Sequence, residues 1–331
     1  MGKKITLKLE LNQMNLKKVK NFFSKFEIIS VFGDSNKKNI LGEKLNRVCR
    51  FCLKNSNETS FKKDAHVIPE FMGNHNLLSF YECDNCNSIF SKYEDSLANF
   101  FGVSRTISQI KGKKNKVPKF KDPRTGLEIK LDDNSLNIKA LENTDVYDID
   151  KENKLLTIKT KRPGYIPLYI PKMLLKIAFS ILTPDETKNY DYLRKFLLDQ
   201  KNQKAFENSD QLRIIGYWIP GPPKFSKPYV LLCKKIIKKD TELCPEMIVI
   251  IQYANYQLQM ILPFGENDKE LVGEEVDIPF APLFVDNSYL QMYGQEQFLN
   301  LNLTSAEKKS SEDHTISFQF EEFKEEDLRN K

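Results

Sequence analysis

The sequence has no run of about 18 uncharged apolar residues, so no membrane-spanning helix and no membrane partner are expected. No apolar leader is expected in the opening residues. Met1-Gly2-Lys3-Lys4-Ile5-Thr6-Leu7-Lys8-Leu9-Glu10 alternates apolar and charged residues, a strand pattern rather than a signal-peptide core, and the expected location is cytoplasmic. There is no internal repeat, and beyond residue 126 no motif connects to chemistry. What remains is 331 residues, 40% apolar and 29% charged. Such a chain is not a disordered tail, buries a core without disulfide staples, and has room for two or three domains.

Charge is unevenly placed. Residues 1–125 carry 24 Lys and Arg against 12 Asp and Glu, whereas residues 126–331 carry 27 against 33. A basic first third joined to an acidic remainder fits a polyanion-binding module attached to something else. It equally fits the solvated surface of a lysine-rich protein. The densest stretch, 105–124, holds eight basic residues, Arg105, Lys111, Lys113, Lys114, Lys116, Lys119, Lys121 and Arg124, against one acid. With almost no interleaved aromatics, it reads as an arm touching backbone phosphates rather than stacking on bases, or as a solvated linker.

Periodicity predicts a strand over 5–11 and an amphipathic helix over 15–29 carrying Leu16, Val19, Phe22, Phe23 and Phe26, followed by a loop at 33–39. Further on, Pro171 opens a helix with Met173, Leu174, Ile177, Ala178 and Ile181. Thr183-Pro184-Asp185-Glu186 has the form of a capping box that starts another. Apolar strands are expected near 211–219, 228–237, 246–253 and 256–263, and the charged tail after about 304 is expected to be partly disordered. Tyr217, Trp218, Tyr253 and Tyr256 read as core or interface aromatics.

Four of the six cysteines come as two close pairs, Cys49 with Cys52 and Cys83 with Cys86, separated by 31 positions. Without a secretory signal, such C-x-x-C knuckles read as metal ligands before disulfides. Four thiolates close one tetrahedral Zn²⁺ and leave no open position, so this zinc would be structural and would staple a unit of residues 46–105. Cys233 and Cys244 stand alone, as a buried strand cysteine and a loop thiol.

Between the knuckles lies Ala65-His66-Val67-Ile68-Pro69-Glu70, then Gly73-Asn74-His75-Asn76, and the second knuckle closes as Cys86-Asn87. In these residues and their order the segment resembles the HNH, or ββα-metal, endonuclease family, with its His-Ile/Val-Ile-Pro signature, its Gly-Gly or Gly-Asn step, and its second knuckle followed at once by Asn or His. The resemblance covers residues 46–105, under a fifth of the chain, and the pattern of the whole chain reads as α+β. An N-terminal segment (1–45) precedes a small zinc-stapled ββα nuclease unit (46–105); a basic linker (106–125) then leads to a larger α+β C-terminal domain (126–331) that regulates, recognises or oligomerises. The resemblance implies hydrolysis of phosphodiester bonds, most readily in DNA. His66 would be the general base, and Asn87 would offer an oxygen to a catalytic Mg²⁺ or Mn²⁺. Asn76 would brace the base, with His75 as the alternative. The lysines at 111, 113, 114, 116, 119 and 121 would hold nucleic acid.

One departure stands out. The family usually has Asp, Glu or His directly before the base, and here that residue is Ala65. Asp64, one step earlier, would point to the opposite face of a strand and would serve as a ligand of the catalytic metal only if the strand bulges. Glu94 shares a helix face with Asn87 but sits about 10 Å further along the axis, as a supplementary ligand or a solvated acid; Glu70 has similar standing. Two further readings follow: a zinc-stapled nucleic-acid-binding module that has lost catalysis, or a scaffold in which the knuckles only stabilise. By analogy of architecture, an HNH unit on a long non-nuclease half also suits a ligand- or partner-gated effector of antiviral defence.

Overall fold

Helices and strands follow one another without a simple repeat, in an α+β arrangement seen in a computed structural model that describes residues 13–33, 37–132, 135–141, 144–200, 210–237, 243–263, 265–283 and 287–324. The chain runs through α1 (Gln13–Lys25), β1 (Phe26–Gly33), β2 (Asn39–Leu41), β3 (Ala65–His66), β4 (Leu77–Ser79), α2 (Asp84–Phe101) and α3 (Ser104–Ile107). Then come β5 (Phe120–Asp122), β6 (Leu127–Asp132), β7 (Ser135–Lys139), β8 (Tyr147–Asp150), β9 (Leu155–Lys161), α4 (Tyr169–Ile181), α5 (Pro184–Asn189) and α6 (Tyr192–Leu198). The last part holds β10 (Ile214–Trp218), β11 (Phe225–Lys235), β12 (Met247–Ala254), β13 (Tyr256–Ile261), α7 (Asn287–Tyr293), β14 (Gln297–Leu301) and β15 (Asp313–Gln319).

The centre is an antiparallel sheet in the order β1-β11-β12-β13-β10-β14. Its middle strands are apolar at nearly every position because both faces are covered. On β12, Met247, Val249, Ile251 and Tyr253 face the main core under α2, α4 and α6, while Ile248 and Ile250 face Phe22 and Phe26 at the α1–β1 junction. This period of two is what a strand requires. The small sheet β2-β4-β3 pairs β2 parallel and β3 antiparallel to β4, and it leads into α2. Two further three-stranded sheets, β5-β6-β7 and β15-β9-β8, enclose Val103, Phe120, Ile129 and Ile158. Among the described residues no helix is long and apolar enough to cross a membrane.

The capping box is formed: the Thr183 hydroxyl accepts from the Glu186 N–H, and the Glu186 carboxylate accepts from the Thr183 N–H at 2.9 Å. Three expectations need correction. The helix expected over 15–29 stops at Lys25, and Phe26 begins β1, which pairs antiparallel with β11. The Phe22 and Phe26 rings still stack, 5.6 Å apart, so helical apolar spacing continues across a change to strand that the β-branched Ile28, Ile29 and Val31 favour. The tail is ordered through β15, which pairs along its length with β9 and turns Ile316 and Phe318 toward apolar neighbours. The helix carrying Met173 begins at Tyr169, with Pro171 in the first turn where its missing N–H leaves no bond unmade. The strand expected over 5–11 lies outside the described residues.

Candidate functional site

Each knuckle is a tight local structure. In the first, the Leu53 N–H donates to the Cys49 carbonyl and the Cys49 N–H to the Lys54 carbonyl, both at 2.8 Å. In the second, Cys83 is the N-cap of α2 and Cys86 lies buried in its first turn, where helix N–H groups favour negative charge on sulfur. The fold brings the knuckles together. Cys49 Sγ lies 3.7 Å from Cys86 Sγ, Cys52 Sγ lies 3.7 Å from Cys83 Sγ, and all four sulfurs fall within 4.8 Å of one another. A tetrahedron with Zn–S bonds of about 2.3 Å has edges of about 3.8 Å, so this donor set fits Zn²⁺. The hydrogen bond shared with the Cys86 sulfur brings the Cys49 thiol down to about 5 against the opposing effect of burial, and Cys86 is itself driven up. Four sulfurs this close become thiolates together only around a cation.

His66 sits on β3 opposite Leu78 of β4, in a hairpin closed by Asn74. The fully buried Asn74 side chain donates to the carbonyls of Ile68 (2.6 Å) and Leu77 (2.9 Å) and accepts from the Leu77 N–H (2.8 Å). Gly73 before it is left-handed, at φ +92°. The second knuckle reaches this hairpin through Asp84, which accepts from the Ser60 hydroxyl and from the N–H groups of Lys62 and Lys63 just before β3. His66 is half-buried, and its Nδ1 is buried with no hydrogen-bond partner. Burial first, and then the charge of Lys176, hold its imidazole below the usual range. It is therefore neutral at pH 7, the form a general base needs.

The other expected residues fall as follows. Asn87 is half-buried in the first turn of α2, directly after Cys86. Glu94 is half-buried further along α2, and its charge acts on Glu82. Asn76, half-buried at the start of β4, accepts the Asn39 N–H through its carbonyl. His75 shares a 3.3 Å hydrogen bond with the Lys111 carbonyl. Ala65 faces inward at 1% exposure, whereas Asp64 points outward and pairs with Lys38 at 3.5 Å. Among the described residues the four cysteines are the one cluster of three or more His, Cys, Asp or Glu. Asn87 and Glu94 do not by themselves make a hard-cation site, and nothing at position 65 completes one. In the basic stretch, Lys111, Lys114, Lys116, Lys119 and Lys121 are exposed, and Lys113 lies in a short 3₁₀ turn.

Residues that no motif announced complete the site. Helix α4 is buried on every side and carries Lys172 and Lys176 at full burial. Lys176 Nζ donates to the His66 carbonyl at 2.7 Å and lies 2.9 Å from Glu82 Oε2, an ion pair with both side chains 1% exposed. Glu82 directly precedes the second knuckle, and burial pushes its carboxyl up to about 7 against the pull of Lys176. Lys172 Nζ donates to the Asp199 carbonyl at 2.6 Å. Arg50, inside the first knuckle, donates from Nη1 to the carbonyls of Phe179 (3.0 Å), Ser180 (2.7 Å) and Leu182 (2.7 Å). Those are the carbonyls that the end of α4 leaves unpaired. The two knuckles, the histidine hairpin and α4 thus form one hydrogen-bonded unit. The only sequence signal for it was two lysines in an otherwise apolar helix.

Residues 49–100 match the family model of the HNH endonucleases. No curated protein and no solved structure matches the chain.

Proposed function

We propose that the HNH endonuclease domain of residues 49–100 hydrolyses phosphodiester bonds in DNA, with His66 as the general base. One observation carries the reading: the His66 imidazole, held below its usual range by burial, sits on a hairpin fixed by Asn74 and Lys176. A neutral imidazole takes a proton from water as that water attacks phosphorus, and a rigid strand keeps the imidazole aimed while it does so. Zinc at Cys49, Cys52, Cys83 and Cys86 would hold α2 against the hairpin, a structural task that leaves no ligand position for water. The exposed lysines between 111 and 121 are suited to neutralise backbone phosphates. The C-terminal half, tied to the site through α4, is suited to gate it, as an effector of antiviral defence would require.

The test is nicking of supercoiled plasmid with Mg²⁺ or Mn²⁺ added. His66→Ala should lower the rate about 10²–10⁴-fold while zinc content and DNA affinity stay unchanged. A second reading, a zinc-stapled nucleic-acid-binding module without catalysis, is favoured by Ala65 and the outward Asp64. DNA binding by the wild type, with no nicking in either metal, would select it.

A further inference from the structure

At the far end of α2 from Asn87 lies a cavity of about 300 Å³ whose lining includes Asn99, Arg105, Thr106, Lys119, Lys121 and Pro163. Three of its lining residues are cations and none is an acid. Lys121 is already held by Glu128 at 2.5 Å. Arg105 and Lys119 make no ion pair among the described residues, and Asp95 acts on Arg105 only at longer range. Arg105 is half-buried, its guanidinium lies 4.8 Å from the centre of the Phe71 ring, and its Nε is buried with no partner. Its Nε has thus lost water and gained no acceptor in return. Its position is built: α3 carries it, and Gly102, at φ +52°, lets the chain turn where a Cβ would stand 2.8 Å from His314 Nδ1.

We propose that this cavity binds a phosphate group, with the Arg105 guanidinium as the principal donor and Lys119 as a second charge at the rim. A planar fork of N–H donors suits phosphate oxygens, and the volume matches the lower end of small-ligand sites. The phosphate has two possible sources, a free nucleotide or the backbone of bound nucleic acid. From Asn87 to Asn99 the helix advances about 18 Å. Only the second source rests on the nucleic-acid reading above, and neither needs cleavage.

The experiment is calorimetric titration of the zinc-loaded full chain with 5′-AMP, with inorganic phosphate and with a 20-base-pair duplex. The wild type is compared with Arg105→Gln and with Lys119→Gln, the latter an exposed change that cannot disturb folding. Zinc content and thermal midpoint check that Arg105→Gln is folded. AMP and phosphate binding weakened about 10- to 100-fold by Arg105→Gln, and several-fold by Lys119→Gln, establishes a free-nucleotide site. A comparable loss confined to the duplex establishes a backbone site. Equal binding of all three probes by wild type and both variants, or no binding by the wild type, overturns the proposal. His66→Ala should leave these titrations unchanged, so failure of the nuclease reading and failure of this one are told apart.

Discussion

Lys176→Met puts the link between α4 and the histidine hairpin under the most direct strain. Methionine keeps the length of the side chain but removes the donor to the His66 carbonyl at 2.7 Å and the counter-charge 2.9 Å from Glu82. Breaking a fully buried pair by deleting one partner typically costs about 3–5 kcal/mol. Two effects pull this figure down. Glu82 already sits at about 7, so it takes up a proton at neutral pH with little further loss. Methionine also removes the penalty of burying an ammonium group. What stays is mainly the unmade bond at the His66 carbonyl, worth about 1.5–3 kcal/mol for a charged donor. Lys176→Met should therefore lose roughly 2–3 kcal/mol in urea unfolding, and the fall in cleavage rate should exceed any change in DNA affinity. Lys176→Met with Glu82→Gln should recover part of the loss, because no buried carboxylate is left without a partner, and the double-mutant cycle should give a coupling above about 1 kcal/mol. A single mutant within about 0.5 kcal/mol of wild type, or strictly additive effects, would refute the reasoning.

Three more outcomes are expected. Cys83→Ser should lose zinc and unfold the 49–100 region, read by elemental analysis and by loss of α2 protection in hydrogen exchange, because only three of the four sulfurs that can close around zinc would remain. Arg50→Met should destabilise the chain by about 2–4 kcal/mol in denaturant titration, since three carbonyls at the end of α4 lose one charged donor. Acid should weaken the β15 attachment through His314, which burial and then the Arg162 charge bring down to about 4, with Glu312 opposing. A depressed pKa means the imidazole's contribution is whole above about 6.5 and is lost as pH falls toward 4. His314→Gln should flatten the fall of the thermal midpoint across that window, and an unchanged slope would count against the assignment.

Much of the site was legible because its signals are local. A C-x-x-C knuckle is a turn closed by its own backbone, so spacing alone located both knuckles. The Thr183 capping box lies within four residues, and the apolar runs of β10 to β13 declare a sheet buried on both faces.

Tertiary structure decided the rest. Helical spacing through Phe22 and Phe26 carried the expected helix four residues too far, because what makes Phe26–Gly33 a strand is its pairing with β11, some two hundred residues away. The charged tail becomes β15 because β9 offers it an edge, and no pattern within the tail records that edge. Nothing near Arg50 says that it closes the end of α4, and nothing near Lys176 says that its ammonium reaches the carbonyl of His66 across 110 positions. A polar group that leaves water must find a partner, and sequence shows which groups carry that need. Which distant atom meets it depends on how the elements pack, and in this protein that packing joined the C-terminal half to the histidine hairpin.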